Sequence, residues 1–292
     1  MRRMRISQLY ATRRPVFSFE FFPPKTDAGY RSLYRTIEEL KPLEPAFVSV
    51  TSHARGENRS KTAELVIRIQ NELGITAMAH MTCTGQTRAE LGATLDELAR
   101  AGIENIMALR GDAPHDQPDW RPVPGGFRYG SELAAFVKSR GAFTVGGGCY
   151  PEVHPEAADA AADLANLRRK LDAGVEFLIT QLFLNNAHYF RFVERARAAG
   201  ISVPIVPGIM PIVSLANLRG AMRNAPTSET PRELESALAG AESDKERSLA
   251  IGVEWATLQC RELLAHGAPG IHFYTLNQSP ATRRVHANLV SR

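Results

Sequence analysis

The chain alternates short β-rich runs with segments of helical periodicity, and this alternation recurs eight times along its length. The predicted strands cover residues 16–21, 47–50, 76–81, 106–109, 144–148, 177–180, 205–209 and 270–274. The predicted helices cover residues 30–40, 61–73, 88–101, 131–139, 160–173, 187–199, 216–224 and 245–266. Eight strands and eight helices within 292 residues predict an α/β protein built as a (β/α)8 TIM barrel.

The turn after the first strand favours this barrel over a doubly wound open sheet. An open sheet usually carries a Gly-rich phosphate turn there, whereas this chain has Pro23, Pro24 and Lys25. The segment 226–244 interrupts the alternation with one short predicted helix over 231–239. We interpret it as a small insertion before the last predicted helix, and we expect a single domain of all 292 residues.

Composition limits the compartment and the class of partner. The net charge of +4 is spread thinly, without the basic stripe of a nucleic-acid-binding protein. No stretch approaches the roughly 20 apolar residues of a membrane span, and the N-terminal arginines lack the apolar region of a signal peptide. Cys83, Cys149 and Cys260 lack metal-ligand spacing and are interpreted as buried thiols. We therefore expect a cytoplasmic protein without a metal, a nucleic-acid partner or a membrane partner.

The first predicted strand contains a glutamate among aromatic residues. Period-two alternation directs Phe17, Phe19 and Phe21 to one face and Ser18 and Glu20 to the other. A carboxylate enclosed by rings is costly when charged, so its pKa is expected to rise unless a cation or hydrogen-bond donors compensate. Taken alone, Glu20 fits a structural ion pair better, because ionisable residues at strand ends are mostly structural.

Polar side chains follow the predicted strands at their carboxyl ends. The main ones are Thr51, Ser52, His53, His80, Thr82, Cys83, Arg110, Gly111, Asp112, Tyr150, Glu152, His154, Glu156, Thr180, Gln181, Asn277 and Gln278. Each has a structural explanation by itself, such as a local ion pair or a core histidine. Because barrel active sites lie at this end of the strands, their convergence on one mouth predicts an enzyme.

The helix after the fifth strand carries a second polar pattern. Asp163, Asn166 and Lys170 stand at i, i+3 and i+7 on one helical face, with Arg169 alongside. An ordinary solvated helix face is the alternative interpretation. A carboxylate and an amide suit ribose-like hydroxyls, and two cations suit phosphate oxygens. The mouth is therefore predicted to bind an extended, anionic and partly aromatic ligand.

These residues resemble those of the 5,10-methylenetetrahydrofolate reductases. The matching stretches appear in order along the chain, at residues 17–25, 47–51, 108–112, 150–156, 163–174, 180–181 with 183, 207–209 with 211, and 272–277. The sequence Tyr-Pro-Glu-Val-His-Pro-Glu at 150–156 and the sequence Leu-Arg-Gly-Asp at 109–112 are specific in combination.

The resemblance implies a barrel that binds FAD without a Rossmann domain. Such enzymes reduce FAD with NADH or NADPH and then reduce methylenetetrahydrofolate to 5-methyltetrahydrofolate. The residues implied to contact FAD are Thr51, His80, Arg110, Gly111, Asp112, Tyr129, Gly130, Tyr150 and His154. The helical face of Asp163, Asn166, Arg169 and Lys170 is implied to hold the diphosphate and adenosine side.

The resemblance also implies roles around the folate substrate. Glu20 is implied to protonate the departing nitrogen when the methylene bridge opens, with the Phe rings keeping the acid neutral. Asp112 is implied to orient the folate and tune the flavin. Gln181 and Asn217 are implied to hydrogen-bond the folate, and Gln278 is placed in the same substrate-binding set.

Three positions depart from the family pattern. The loop after the second strand reads Thr-Ser-His-Ala-Arg at 51–55 where the family often has Thr-Tyr-Gly-Ala. Ala221 stands where an aromatic ring stacks on the nicotinamide nucleotide, and Gln278 stands where an arginine positions the folate. Loss of the ring weakens donor binding by about 1 kcal/mol or more, which leaves NADH, NADPH and another reductant open.

Three other readings remain at this stage. One is a related folate-binding flavoprotein of one-carbon metabolism that uses a different reductant or runs in the oxidative direction. Another is a non-catalytic FAD- or folate-binding protein, against which Glu20, Asp112 and Gln181 argue. The third is a flavin-free barrel with phosphate sites after its last strands, but residues 207–209 are too poor in backbone donors for such a site. The sequence leaves the oligomeric state open, with a homo-oligomer as one outcome.

Overall fold

The computed structural model describes residues 4–12, 15–52, 59–111 and 121–291. Its strands are β1 Val16–Phe21, β2 Phe47–Val50, β3 Ala77–Thr82, β4 Asn105–Leu109, β5 Thr144–Cys149, β6 Phe177–Thr180, β7 Ile205–Val206, β8 Gly208–Ile209 and β9 Gly270–Tyr274. They pair in parallel in the order β7-β6-β5-β4-β3-β2-β1-β9-β8. The predicted (β/α)8 barrel is confirmed.

The seventh barrel strand is split, whereas the sequence predicted one continuous strand over 205–209. β7 pairs with β6 and β8 pairs with β9, so the two halves together close the barrel. The split falls at Pro207, which has no N–H to donate to a ladder. Gly208 is required beside it, because a Cβ there would lie 2.4 Å from the hydroxyl of Tyr274 and 2.5 Å from the carbonyl of Thr180.

Helices surround the barrel and cover one of its ends. They are α1 Ile6–Thr12, α2 Asp27–Leu40, α3 Arg59–Glu72, α4 Arg88–Arg100, α5 Gly130–Arg140, α6 Ala160–Asp172, α7 Asn186–Ala198, α8 Leu215–Asn224, α9 Arg232–Ala239, α10 Lys245–Ala265 and α11 Pro280–Val290. The sequence prediction missed α1 and α11. The last helix in the sequence prediction, over 245–266, corresponds to α10. A further helix, α11, follows β9 and completes the eighth strand–helix unit.

The short insertion helix α9 is packed against α8 and α10. Its Leu234 and Leu238 are buried in a cluster with Leu215 and Leu218 of α8. Burial of these side chains supplies the stabilisation that an eight-residue helix lacks alone. The insertion is therefore part of the packed structure between α8 and α10.

Helix α1 closes the amino-terminal end of the barrel. Its Ile6, Leu9 and Tyr10 are buried in one apolar cluster with strand residues that include Phe47 and Phe177. The Tyr10 ring lies 5.8 Å from that of Phe177 and 6.4 Å from that of Phe47. With this end filled by side chains, the opposite, carboxyl end of the strands is left as the mouth.

The period-two alternation predicted for β1 is confirmed. Phe17, Phe19 and Phe21 are buried in the main core with the surrounding helices. Ser18 and Glu20 face the barrel interior, where both meet His272 of β9. The strand therefore separates an apolar outer layer from a polar inner one.

The three cysteines are confirmed as buried, free thiols. Burial raises the pKa of Cys83 to about 12 and also raises those of Cys149 and Cys260. Over the described ranges, no helix has the length and apolar character needed to cross a membrane.

Candidate active site

The predicted site residues follow consecutive strands of the barrel. Glu20 lies on β1 and His80 on β3, while Arg110, Tyr150 and Gln181 directly follow β4, β5 and β6. Because all these strands are parallel neighbours, their carboxyl ends meet at one mouth.

The Glu20 carboxyl is held by a group of polar side chains inside the barrel. Its Oε2 lies 3.4 Å from Nε2 of His272, 3.4 Å from Oγ of Ser49 and 3.4 Å from Nε2 of His80. Ser49 also contacts Nε2 of His272 at 3.3 Å. The side chain of Glu20 is 18% exposed, so it is not fully enclosed by the barrel.

The expectation that aromatic rings keep Glu20 neutral is wrong. The Phe rings of β1 lie on the outer face of the strand, away from the carboxyl. Burial raises the pKa of Glu20, but the hydrogen bond from His272, the nearby His80 and the hydrogen bond from Ser49 together bring that pKa below its ordinary value. The pKa was expected to rise only if hydrogen-bond donors were absent, and His272 and Ser49 provide such donors.

Two buried polar atoms of β3 make no hydrogen bond with any described residue. They are Oγ1 of Thr82 and Nε2 of His80, whose 3.4 Å contact with Glu20 is not a hydrogen bond. Both residues alternate with Ala79 and Met81 of the outer core, so they face the interior of the barrel. Burial lowers the pKa of His80, which keeps its imidazole neutral at neutral pH. A bound polar ligand would satisfy both atoms.

Arg110 is paired with an acid in the mouth. Its guanidinium donates to both carboxylate oxygens of Glu156, at 2.5 and 2.6 Å. That hydrogen bonding holds the pKa of Glu156 below its usual value. Gly111 has φ +82°, and a Cβ there would lie 2.8 Å from Oγ1 of Thr84. A Cβ at Gly130 would lie 3.1 Å from the backbone N of Arg110, so both glycines allow close backbone packing.

The loop after β5 is tied to the first turn of α6. The backbone N of His154 donates to Oδ2 of Asp163 at 3.1 Å. The rings of Tyr150 and His154 meet edge to face, with centroids 4.5 Å apart. Burial lowers the pKa of His154, although Asp163 and Glu156 oppose that shift. These contacts bring the predicted cofactor residues of β5 and α6 together.

The polar face of α6 combines exposed and inward-facing groups. Asn166 and Arg169 are exposed, and the guanidinium donates to the amide oxygen. Lys170 instead reaches inward, and its Nζ donates to the carbonyl of Gly148 at 2.7 Å. Burial lowers the pKa of Lys170. An ammonium group with so little solvation favours an anionic partner.

Tyr129 and Thr51 lie at the rim of the mouth. Tyr129 is the N-cap of α5 and is 49% exposed, while its backbone N donates to Glu132 at 3.1 Å. The carbonyl of Thr51 accepts from the hydroxyl of Thr62 at 3.0 Å. Thr51 is partly buried, and the contacts of both residues with FAD stay predictions.

The predicted folate-binding residues are distributed around the same rim. The amide oxygen of Gln181 accepts from the backbone N of Leu182 at 2.8 Å, and that of Asn217 accepts from Val213 at 3.1 Å. Gln278 is exposed in the turn after β9. Their contacts with the folate stay predictions. Asp112 and His53 lie outside the described residues.

Sequence reasoning missed the polar residues inside the barrel, namely Ser49, His272 and Tyr274. The hydroxyl of Tyr274 donates to the carbonyl of Thr180 at 2.5 Å and so crosses the interior. The alternation that placed Ser18 and Glu20 inward would have placed these three inward as well. Sequence alone did not indicate that Ser49 and His272 both contact the carboxyl of Glu20.

The methylenetetrahydrofolate reductase family matches residues 5–290, nearly the whole chain. The chain belongs to this family. A member named methylenetetrahydrofolate reductase (NADH) 1, from Arabidopsis thaliana, is 37% identical over 94% of this chain and 48% of its own length. The 5,10-methylenetetrahydrofolate reductase of Escherichia coli (strain K12) is 37% identical over 90% of this chain and 86% of its own length.

Coverage differs between these groups of reductases. The chain spans about half the length of the plant relatives, but most of the length of the bacterial ones. Among solved structures, an uncharacterized protein from Clostridium thermocellum described as binding two copies of 5-methyl-5,6,7,8-tetrahydrofolic acid superposes with a TM-score of 0.68. It is 16% identical and covers 97% of this chain and 96% of its own, which supports the fold.

Proposed function

We propose that the chain reduces 5,10-methylenetetrahydrofolate to 5-methyltetrahydrofolate, with FAD as cofactor and a nicotinamide nucleotide as electron donor. Membership of the reductase family supports this reaction, as do the names of bacterial relatives that the chain matches over 86% of their length. The observation that carries the proposal is the partly exposed Glu20 side chain, which lies 3.4 Å from Nε2 of His80 inside a barrel where neither this nitrogen nor the hydroxyl of Thr82 makes a hydrogen bond with any described residue.

Glu20 is the group to which we assign the acid chemistry. When the methylene bridge opens, one C–N bond breaks, and the departing nitrogen keeps the electron pair and takes the proton of the Glu20 carboxyl. The carboxylate left behind is stabilised by His272 and Ser49. Because the pKa of Glu20 lies below its ordinary value before folate binds, the supply of this proton becomes limiting as pH rises.

The donor groups at the mouth fit FAD. His80 and Thr82 offer a heterocycle polar atoms that make no hydrogen bond with any described residue, and Lys170 offers a poorly solvated cation to a phosphate. Asp163 and Asn166 provide acceptors for hydroxyl groups on the same helix face. FAD bound there and reduced by the nicotinamide nucleotide would supply the hydride that the folate accepts.

Replacing Lys170 tests the phosphate assignment. We expect Lys170→Met to raise the Kd for FAD by about tenfold or more, because a charge-assisted hydrogen bond is worth roughly 1.5–3 kcal/mol. Fluorescence titration of FAD with the apoprotein measures this. Lys138→Met, which removes an ammonium paired with Glu176 at 3.0 Å, is the matched control and leaves the Kd unchanged. Equal affinities of the two variants would remove Lys170 from the cofactor site.

The identity of the electron donor depends on α8. Ala221 is buried with Leu218 and Leu234, so this position offers no ring to stack on a nicotinamide. Relatives from Arabidopsis thaliana and Zea mays are named NADH-type reductases. On this basis we assign NADH as the donor, with weak binding.

Stopped-flow reduction of the protein-bound flavin by NADH and by NADPH tests this assignment. Faster bleaching by NADH is expected. Bleaching by neither nucleotide, together with folate reduction by the chemically reduced protein, would instead support the related flavoprotein with a different reductant. A purified protein that is colourless and takes up no FAD would overturn the proposed function itself.

A further inference from the structure

A fully buried histidine lies one layer below Glu20 in the barrel. His272 of β9 pairs in register with Ser18 of β1, and its side chain is 0% exposed. Its ring is stacked on Phe47 at 5.8 Å and meets Tyr274 edge to face at 5.6 Å. These two rings restrict the imidazole to one plane, so the directions of both nitrogens are defined.

The two nitrogens of His272 have different partners. Nδ1 lies 2.7 Å from Oγ of Ser18, while Nε2 lies 3.4 Å from Oε2 of Glu20. A carboxylate only accepts hydrogen bonds, so Nε2 must carry a hydrogen to bind it. In the neutral ring, Nδ1 then accepts from the Ser18 hydroxyl. The Glu20 carboxylate thus selects the tautomer, and the Ser18 hydroxyl, which can donate or accept, supports it by donating to Nδ1.

The contacts of Glu20 are one-sided. Within the described residues, the polar contacts of its carboxyl with Ser49, His80 and His272 all involve Oε2. We propose that His272 is a positioning residue for Glu20, which anchors the carboxyl through Oε2 and leaves Oε1 to deliver the proton to the folate. This proposal rests on the proposed function.

Removal of His272 has a predictable effect on ionisation. The titratable described residues that face Glu20 are His80 from β3 and His272 and Tyr274 from β9; β2 contributes the uncharged Ser49. Burial raises the pKa of Glu20, and the hydrogen bond from His272 is the largest opposing influence. Without His272 the pKa of Glu20 therefore rises, and the carboxyl stays protonated to higher pH.

The first measurement needs neither cofactor nor substrate. Infrared difference spectra of the apoprotein, each taken against its Glu20→Gln counterpart, isolate the carboxyl band of Glu20 during a pH titration. We expect His272→Asn to move its midpoint upward by about one pH unit or more, and Ser18→Ala to move it less in the same direction. His286→Asn is the control, since this buried histidine packs outside the barrel against Phe17 at 4.9 Å.

The second measurement follows single-turnover oxidation of the reduced flavoprotein by methylenetetrahydrofolate across pH. His272→Asn is expected to shift the pH midpoint upward and to lower the plateau rate, because the carboxyl loses its anchor. A lower plateau with an unshifted midpoint in both measurements would mean a structural role only and would overturn the proposal. If His272→Asn does not fold, Ser18→Ala decides, since it keeps the imidazole in place.

The two proposals fail in different ways. Reduced wild-type protein that does not react with methylenetetrahydrofolate would defeat the proposed function, while the infrared titration would still report whether His272 controls Glu20. An unshifted infrared midpoint in His272→Asn and Ser18→Ala, with normal wild-type turnover, would defeat the positioning role alone.

Discussion

Glu20→Gln is expected to lower the rate of folate reduction by about 10²- to 10⁴-fold, the usual contribution of a general acid. The amide keeps the size of the side chain and can still accept a hydrogen bond from His272, but it has no proton to give to the departing nitrogen. FAD binding and reduction of the flavin by the nicotinamide donor are expected to persist. Separate stopped-flow measurements of the two half-reactions test this difference.

A second carboxylate provides the control for this experiment. Glu176 precedes β6 at the opposite end of the barrel and is paired with Lys138 at 3.0 Å. Glu176→Gln is expected to leave both half-reactions unchanged. Folate turnover of Glu20→Gln at the wild-type rate would remove Glu20 from the mechanism, and loss of both half-reactions would indicate general damage to the site.

Phe177→Ala is expected to destabilise the protein by about 3–5 kcal/mol, the largest stability effect that we predict. The ring is fully buried at the closed end of the barrel and packs on Tyr10 of α1 at 5.8 Å. Its removal leaves a cavity lined by α1 and several strands. Urea denaturation measures the loss, and Leu258→Ala is the control, since that side chain is 57% exposed. A loss below about 1 kcal/mol would contradict this account of the closed end.

A substitution at Gly146 provides a second test of how Phe177 is packed. The two residues pair in register, and a Cβ at Gly146 would lie 2.5 Å from the Phe177 ring. Gly146→Ala alone is therefore expected to be destabilising through this overlap. In the Phe177→Ala background only the contact with Sδ of Met107 at 3.0 Å is left, so the double variant should be more stable than additivity predicts, by about 1 kcal/mol or more. Simple additivity would show that the ring and the glycine do not constrain each other.

Most of the architecture could be predicted from local pattern. The bounds of β1, β2, β6 and β9 agree with the sequence prediction, because β-rich runs and turn residues are properties of short segments. Helix α1 could not be predicted in this way. It has seven residues, too few to be stable alone, and it exists because Ile6, Leu9 and Tyr10 are buried at the closed end of the barrel.

The candidate site was also predicted only in part from local pattern. The sequence placed Glu20, His80, Arg110 and Gln181 at strand ends, and parallel pairing brought those ends together. It did not indicate that Arg110 is paired with Glu156, because such pairings depend on how loops from different strands meet. The positions of Ala221 and Gln278 were readable as departures from the family, but their effect on the donor and the folate depends on bound geometry.

By itself the sequence determined the alternation of strands and helices, the two faces of β1 and the family to which the chain belongs. These follow from local periodicity and from motifs that keep their order along the chain. The tertiary structure alone decided the ionisation of Glu20. Its partner His272 is 252 residues away in sequence, and barrel closure brings the two within 3.4 Å. The pKa of a carboxyl depends on the groups that surround it in space. Closure of the barrel through β9 brings His272 next to Glu20.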